Sequence, residues 1–378
     1  MTENFERHAR TFSVLTMVSR ATGLCRDAAM SRVFGAGDRV AHVTVVAVSV
    51  IAAGVIQLGW MAWALRGREW FARHAGAARG PMRAVLVQAG PMILGLGVLQ
   101  LNVFMDGVIA SYPTTFGQTI FGVEYPLREG AMATVSFAQR LYQFPLGVFG
   151  IAVATAIFPA LSRLAGDREA FGDLLRRGVR LVIFIGVPAS VGLALVGPLL
   201  VRAILEGGRF SAGDADRVAF VLYGYAAGVW AYSMIHVFTR AFYAMGDART
   251  PVRVAVAIVA LNLFLNCTLI WTPLREAALA WSTSVCAIIQ AIVLLVLMRR
   301  RVPRMLQPAV GSSVAATLLL TAVMGATVAV VVRFMPHAES WWQTVMNLLA
   351  GVGAGVLVFG AGAWALRMPE LRWAVGRR

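Results

Sequence analysis

Ten long apolar segments, each long enough to cross a bilayer as a helix, constrain this chain more than any other feature. They lie near residues 12–34, 41–65, 84–111, 131–160, 179–204, 218–239, 252–272, 277–298, 309–332 and 342–366. Hydrophobic residues make up 59% of the chain and charged residues 14%, which is far from the balance of a soluble domain. The sequence therefore predicts an all-α, polytopic membrane helix bundle with about ten transmembrane helices.

The basic residues predict how this bundle is oriented, and all 34 of them are arginine. With a cytoplasmic N-terminus, 23 arginines fall in the inner loops and termini and 8 in the outer loops, alternating from gap to gap. The remaining three, Arg20, Arg26 and Arg140, lie within spans. We therefore expect both termini in the cytoplasm. We attribute the net charge of +16 to arginine-rich loops that face an anionic leaflet of the membrane, and not to nucleic-acid binding.

Two polar segments between spans carry signals of local structure. Residues 160–178 are rich in charge and are expected to form a short helix on the cytoplasmic surface. In the outer segment 206–217, Ser211 and Asp214 have the spacing of a helix N-cap, which predicts that the sixth span begins there.

Arg140 is an arginine at membrane depth, with Gln139 and Gln143 close to it in sequence. On insertion scales such an arginine costs about 2.5–3.5 kcal/mol, so it needs an anionic partner or a water-filled cavity. The default hypothesis is that Arg140 faces an anion.

The first span carries two further arginines, Arg20 and Arg26, with Ser19 and Asp27 directly beside them. About 600° of helical rotation separates the two arginines, so they sit at an angle that allows both to flank one cavity. The alternative is an interfacial amphipathic helix whose arginines extend to the lipid headgroups.

Asp106 is an intramembrane carboxylate in the third span, and such a group pairs by default with a cation or a proton. Asn262 and Asn266 are one helical turn apart on one face of the seventh span, and Thr283 lies in the eighth. Carboxylate, amide and hydroxyl oxygens together are the ligands of a hard monovalent cation. The alternatives are a salt bridge from the carboxylate to an intramembrane arginine, and amides that only join helices.

Motifs of catalysis are missing from the sequence. It contains no HExxH, P-loop, G-x-S-x-G, paired-cysteine or dinucleotide-binding pattern. We therefore expect no enzyme activity and no cofactor, and the composition favours binding and movement of a substrate.

Four separated motifs resemble one family in the correct order. They are VSRATGLCRDAAMSRVFGAG at 18–37, FAQRLYQFPLGVFGIAVATAIFPALSR at 137–163, GRFSAGDADR at 208–217 and RAFYAMGDARTPVR at 240–253. These segments are similar to the MurJ (MviN) lipid II flippases of bacterial peptidoglycan synthesis. That family belongs to the multidrug/oligosaccharidyl-lipid/polysaccharide exporters, in which two helical lobes enclose a cationic cavity and alternate access across the membrane.

The resemblance implies roles for the polar residues within the spans. It implies that the diphosphate of lipid II is held by Ser19, Arg20, Arg26 and Arg140, in a cavity that also contains Asp27, Gln139 and Gln143. It implies a monovalent cation site at Asp106, with Asn262, Asn266 and Thr283 as further ligands. The resemblance also implies that transport is coupled to Na⁺, to H⁺ or to the membrane potential. It further implies a place in the bacterial inner membrane and contact with the cell-wall synthesis machinery.

The chain departs from the family pattern after residue 40. Family members have about fourteen helices, whereas here the first span is followed directly by a helix that is similar to the family's sixth. We therefore expect a reduced first lobe over 1–83, a six-helix second lobe over 84–298 and two additional helices over 299–378. A truncated paralogue that does not transport, and an exporter of another polyisoprenyl-linked glycan, are the alternative hypotheses.

Overall fold

The structure is a computed structural model, and it describes residues 51–52, 54–56, 59, 97, 100–305, 307–336 and 338–374. The first predicted span, 12–34, and most of the second, 41–65, lie outside these residues.

Within the described residues the chain is helical apart from one short hairpin and the connecting turns. In order, the elements are α1 over 100–115, β1 (Thr119–Ile120), β2 (Val123–Glu124), α2 (Ala131–Pro145), a π-helical segment (Leu146–Ile151), α3 (Ala152–Arg163), α4 (Arg168–Leu205), α5 (Ala212–Ala244), α6 (Arg249–Leu269), α7 (Ala277–Arg299), α8 (Pro308–Phe334), α9 (Trp341–Ala365) and α10 (Pro369–Ala374). The two strands pair antiparallel, with Thr119 opposite Glu124.

Six of the described helices, α4 to α9, are long and apolar enough to cross a membrane, which confirms the last six predicted spans. The predicted span at 131–160 is also helical, but it consists of α2, the π-helical segment and α3 in succession. Pro145 explains the break, since its ring carries no N–H for the carbonyl one turn earlier and disturbs the helix around it. The chain accommodates the proline through the wider turns of the π-helical segment.

The expectation of a separate surface helix at 160–178 is wrong. Asp167 caps α4 by accepting hydrogen bonds from the backbone N–H groups of Glu169 and Ala170, and the helix then runs for 38 residues without interruption. The polar residues from Arg168 onward are therefore the first turns of the fifth span. The predicted cap of the next span is confirmed, because Ser211 and Asp214 form a capping box at the start of α5.

The helix ends that we expect in the cytoplasm are joined by a buried ion pair. The Glu370 side chain on α10 is fully buried, and its Oε1 accepts hydrogen bonds from Arg180 Nε on α4 and Ser313 Oγ on α8, each at 2.6 Å. Arg180 also lies 5.1 Å from the ring centroid of Trp373, in cation–π geometry. The short helix α10 therefore connects α4 to α8 through the side chain of Glu370.

Asp247, in the turn between α5 and α6, makes a second connection at this end. It accepts hydrogen bonds from the backbone N–H and the hydroxyl of Thr250, at 3.0 and 2.7 Å, and from Arg301 Nη2 at 2.9 Å. Burial alone raises the pKa of Asp247, but these hydrogen bonds and the arginine charge outweigh it and hold the pKa below its usual value. The connection is therefore intact at neutral pH and is lost as the pH falls through that lowered pKa.

The opposite helix ends are joined by contacts of their own. Arg217 Nε donates to Glu276 Oε1 at 2.8 Å, and Trp341 Nε1 donates to the carbonyl oxygen of Ala203 at 2.8 Å. These two contacts join the start of α5 to the start of α7, and the start of α9 to the end of α4. Successive helices thus run in alternate directions, as the arginine pattern predicts.

We expect Glu370→Ala to destabilise the protein, because it leaves Arg180 without its buried partner. Removing one partner of a buried ion pair costs about 3–5 kcal/mol. The measurement is the Tm of the purified chain in detergent. Glu339→Ala, at an exposed carboxylate, is the matched control and should leave the Tm unchanged. Equal Tm values for the two variants would contradict the stabilising role of the Glu370 ion pair.

Candidate functional site

Asp106 is a carboxylate buried on α1, with 4% of its surface exposed. Asn266 Nδ2 on α6 donates to its Oδ1 at 2.6 Å, and Asn102 Nδ2 donates to its Oδ2 at 3.5 Å. The ion pairs of the described residues involve other carboxylates, so the alternative of a salt bridge from Asp106 to Arg140 is not observed. Within the described part of the chain, neutral donors alone compensate this buried charge. A carboxylate in such surroundings favours a bound cation or a proton.

The helices α6 and α7 bring the other predicted cation ligands to the same place. Asn262 accepts a hydrogen bond from Asn266 Nδ2 at 2.9 Å, and its own Nδ2 lies 3.4 Å from Thr283 Oγ1. Ser282 Oγ donates to Asn266 Oδ1. Asn262 is 2% exposed and Asn266 is fully buried. The four predicted residues Asp106, Asn262, Asn266 and Thr283 therefore belong to one buried hydrogen-bonded network.

The donor chemistry of this network fits a hard monovalent cation. It offers one carboxylate, two carboxamides and hydroxyl oxygens, and a half-turn of a carboxamide exchanges its NH₂ group for its oxygen. Among the described residues no three His, Cys, Asp or Glu side chains come together, as a transition-metal site would require. A single negative charge with neutral oxygens matches the charge and ligand preference of an ion such as Na⁺.

The other group of predicted residues lies on α2, directly before the break in the helix. Arg140 and Gln143 are exposed and share one face, because they are three residues apart. Gln139 is half-buried and turns toward α5, where its Nε2 donates to the hydroxyl of Tyr225 at 3.0 Å. Two of the three residues therefore lie on an open face, and the third lies in a helix–helix interface.

The remaining predicted residues, Ser19, Arg20, Arg26 and Asp27, lie outside the described residues. Their convergence with Arg140 on one cavity stays a prediction.

Three polar groups in these two places were not among the predicted site residues. Asn102 lies one turn before Asp106 on the same helix face, which is a recognisable signal. Ser282 directly precedes Thr283 and bonds to the neighbouring helix. Tyr225 gave a weaker signal, since a tyrosine in an apolar span needs a hydrogen-bond partner, but its partner is 86 residues away.

These features together define a class of protein. Bundles of membrane-spanning helices with a broken helix and a buried intramembrane carboxylate are typical of secondary transporters. Residues 29–350 match the family model described as lipid II flippase MurJ. Because this range covers most of the chain, the chain belongs to the lipid II flippase MurJ family, which is a family of transporters and not of catalysts. The range includes Arg140 and the Asp106 network, and it begins after Asp27.

Curated relatives and a solved structure agree with this membership. The chain is 31% identical to a probable lipid II flippase MurJ of Vibrio cholerae over 183 residues, which are 48% of this chain and 32% of that protein. It is 29% identical to a probable lipid II flippase MurJ of Rhizobium tropici over 309 residues, covering 79% of this chain and 52% of that protein. A solved lipid II flippase MurJ in an inward closed conformation shares its fold, with a TM-score of 0.60, 19% identity, and coverage of 79% of this chain and 57% of that one. The chain thus spans about half, or less, of the length of these relatives.

We expect Asp106→Asn to abolish stabilisation by Na⁺, because the variant lacks the negative charge that holds the cation. Binding at about 100 times the Kd stabilises a folded protein by about 2.7 kcal/mol, which is measurable as a rise in Tm when Na⁺ replaces N-methylglucamine. Glu129→Gln removes an exposed carboxylate and should keep the full rise. The cation hypothesis fails if Asp106→Asn responds to Na⁺ as the unchanged chain does.

Proposed function

We propose that this chain moves lipid II, the undecaprenyl-diphosphate-linked disaccharide-pentapeptide precursor of peptidoglycan, from the cytoplasmic to the periplasmic leaflet of the bacterial inner membrane. The observation that carries the proposal is Arg140, an exposed arginine on α2 shortly before the helix break in a chain of the lipid II flippase family. Both termini lie in the cytoplasm in this proposal, as the arginine distribution predicts.

Arg140 binds the diphosphate of the substrate. Its planar guanidinium donates two parallel hydrogen bonds to one phosphate. Gln143 adds a neutral donor on the same face. Ser19, Arg20 and Arg26 of the first span complete the anion site, with Asp27 as a further polar residue of the cavity.

The Asp106 network supplies the driving force. A Na⁺ ion or a proton neutralises the carboxylate and lowers the cost of keeping it buried, so occupancy favours the conformation in which α1, α6 and α7 pack closely. The membrane potential adds about 2.3 kcal/mol for each elementary charge moved through 100 mV. The cation or proton binds on one side of the membrane and is released on the other. The cavity then opens in turn to each side.

The second lobe, 84–298, carries both sites in this proposal, and the two helices of 299–378 brace it. The first lobe, 1–83, contributes the first-span arginines and forms a smaller wall than a six-helix lobe. A second copy of the chain, or a member of the cell-wall synthesis machinery, covers the remaining side of the cavity.

A truncated paralogue that does not transport is the second candidate, and the departure of the sequence from the family pattern after residue 40 is the observation behind it. A cell that depends on this chain alone separates the two. In a strain depleted of every other lipid II flippase, the proposal predicts continued growth and continued appearance of lipid II at the periplasmic face. Arrest of both would support the non-transporting alternative. Accumulation of a different polyisoprenyl-linked glycan would indicate another substrate.

In the same strain, we expect Arg140→Ala to abolish growth and export, and Arg140→Lys to retain a part, since lysine keeps the charge but lacks the planar fork. Arg128→Ala, at an exposed arginine before α2, is the control and should support growth. Full complementation by Arg140→Ala would rule out its role in holding the diphosphate.

A further inference from the structure

We infer that the hydrogen bond between Gln139 and Tyr225 couples the anion site on α2 to the cation network, so that occupancy of one sets the affinity of the other. The inference rests on the proposed function and deepens it. Tyr225 is a positioning residue here, because it contacts neither ligand and acts through the helices that hold them.

The first link joins α2 to α5 next to the proposed anion ligand. Gln139 precedes Arg140 and donates to the Tyr225 hydroxyl at 3.0 Å. The ring of Tyr142 stacks on the fully buried ring of Tyr225, with centroids 4.6 Å apart and planes inclined by 17°. Tyr142 also stacks on Tyr232 at 5.6 Å. Arg140 therefore lies in sequence between two residues, Gln139 and Tyr142, that both contact Tyr225 of α5.

The second link joins α5 to α7, and it is tight. Ser284 Oγ donates to the carbonyl oxygen of Gly224 at 2.7 Å. A Cβ at Gly224 would lie 2.8 Å from Ala280 Cβ, and a Cβ at Gly228 would lie 2.9 Å from Ser284 Cβ. Because glycine allows the backbones to approach this closely, α5 and α7 move as one unit near Tyr225.

The third link joins α7 to the carboxylate. Ser282 and Thr283 lie within two residues of Ser284, and they bond to Asn266 and Asn262 respectively. Asn266 in turn donates to Asp106 at 2.6 Å. A continuous path of described contacts therefore leads from Gln139 to Asp106, and it passes through packed helices throughout.

The structure also contains an irregular element close to Tyr142. The π-helical segment begins four residues after Tyr142 and gives α2 an irregular, adjustable connection to α3. The Tyr232 hydroxyl is buried without a hydrogen-bond partner among the described residues. An unsatisfied buried hydroxyl is costly, so it favours a second arrangement of the stacked rings in which that hydroxyl has a partner.

Tyr225→Phe tests the link, since it removes one oxygen and keeps the stacked ring. The probes are undecaprenyl diphosphate and Na⁺, with their affinities for the purified full chain in nanodiscs each measured with and without the other. In the unchanged chain we expect Na⁺ to tighten undecaprenyl diphosphate binding by a factor in the range of about 5–150, with the reciprocal effect of equal size. In Tyr225→Phe that factor should fall to about 1, while each ligand alone binds nearly as before.

Two further variants separate coupling from a purely structural role. Tyr112→Phe removes a hydroxyl that donates to the carbonyl oxygen of Thr119 at 3.4 Å, and it should keep the coupling. Adding Gln139→Met to Tyr225→Phe should not reduce the factor further, because both changes break one contact. Wild-type coupling in Tyr225→Phe would overturn the inference.

The unchanged chain distinguishes this inference from the proposed function. If it binds both probes without mutual effect, the two sites stand and the coupling is wrong. If it binds neither undecaprenyl diphosphate nor Na⁺, the proposed function fails and the coupling fails with it.

Discussion

A carboxylate buried among apolar helices is the constraint on which the central part of this structure depends. Asp106 has no arginine in contact within the described residues, so polar groups from two helices must reach it. Asn266 reaches Asp106 because α6 lies against both α1 and α7. Ser282 of α7 donates a hydrogen bond to the carboxamide oxygen of Asn266. The packing of three helices is thus organised by the solvation of one charge. A membrane interior enforces this more strictly than a soluble core, since water cannot replace a missing partner.

The break in the helix after Pro145 shapes the second site, which contains Arg140 on α2. An unbroken helix would continue the register of α2 through the membrane and fix every side chain on it. The π-helical segment instead separates the part that carries Arg140 from the part that ends at Arg163. Each part packs on α5 through its own contacts, the first through Gln139 and the second through Thr155, whose hydroxyl accepts a hydrogen bond from Arg240 Nη1. In the proposed function, the arginine that binds the substrate thereby lies on a helix that is separated from α3 by the π-helical segment.

Much of the architecture follows from local sequence properties. Hydropathy predicts the spans and arginine placement predicts their alternating direction. The resemblance to a known family implies that Asp106, Asn262, Asn266 and Thr283 come together. What could not be predicted depends on contacts between distant residues. Glu370 pairs with Arg180 across 190 positions, and Tyr225 meets Gln139 across 86. The continuity of α4 was also missed, because a charged segment before an apolar one resembles a surface helix whether or not the two are joined.

The uninterrupted length of α4 has a mechanical meaning. At 38 residues it is about 57 Å long, nearly twice the hydrocarbon thickness of a bilayer. Its N-terminal half is tied to α10 through Arg180, and its last turn is tied to α9 through Ala203. A tilt of a few degrees at one end displaces the other by several ångströms. The helix therefore links the two faces of the membrane rigidly, and α8 and α9 pack along it.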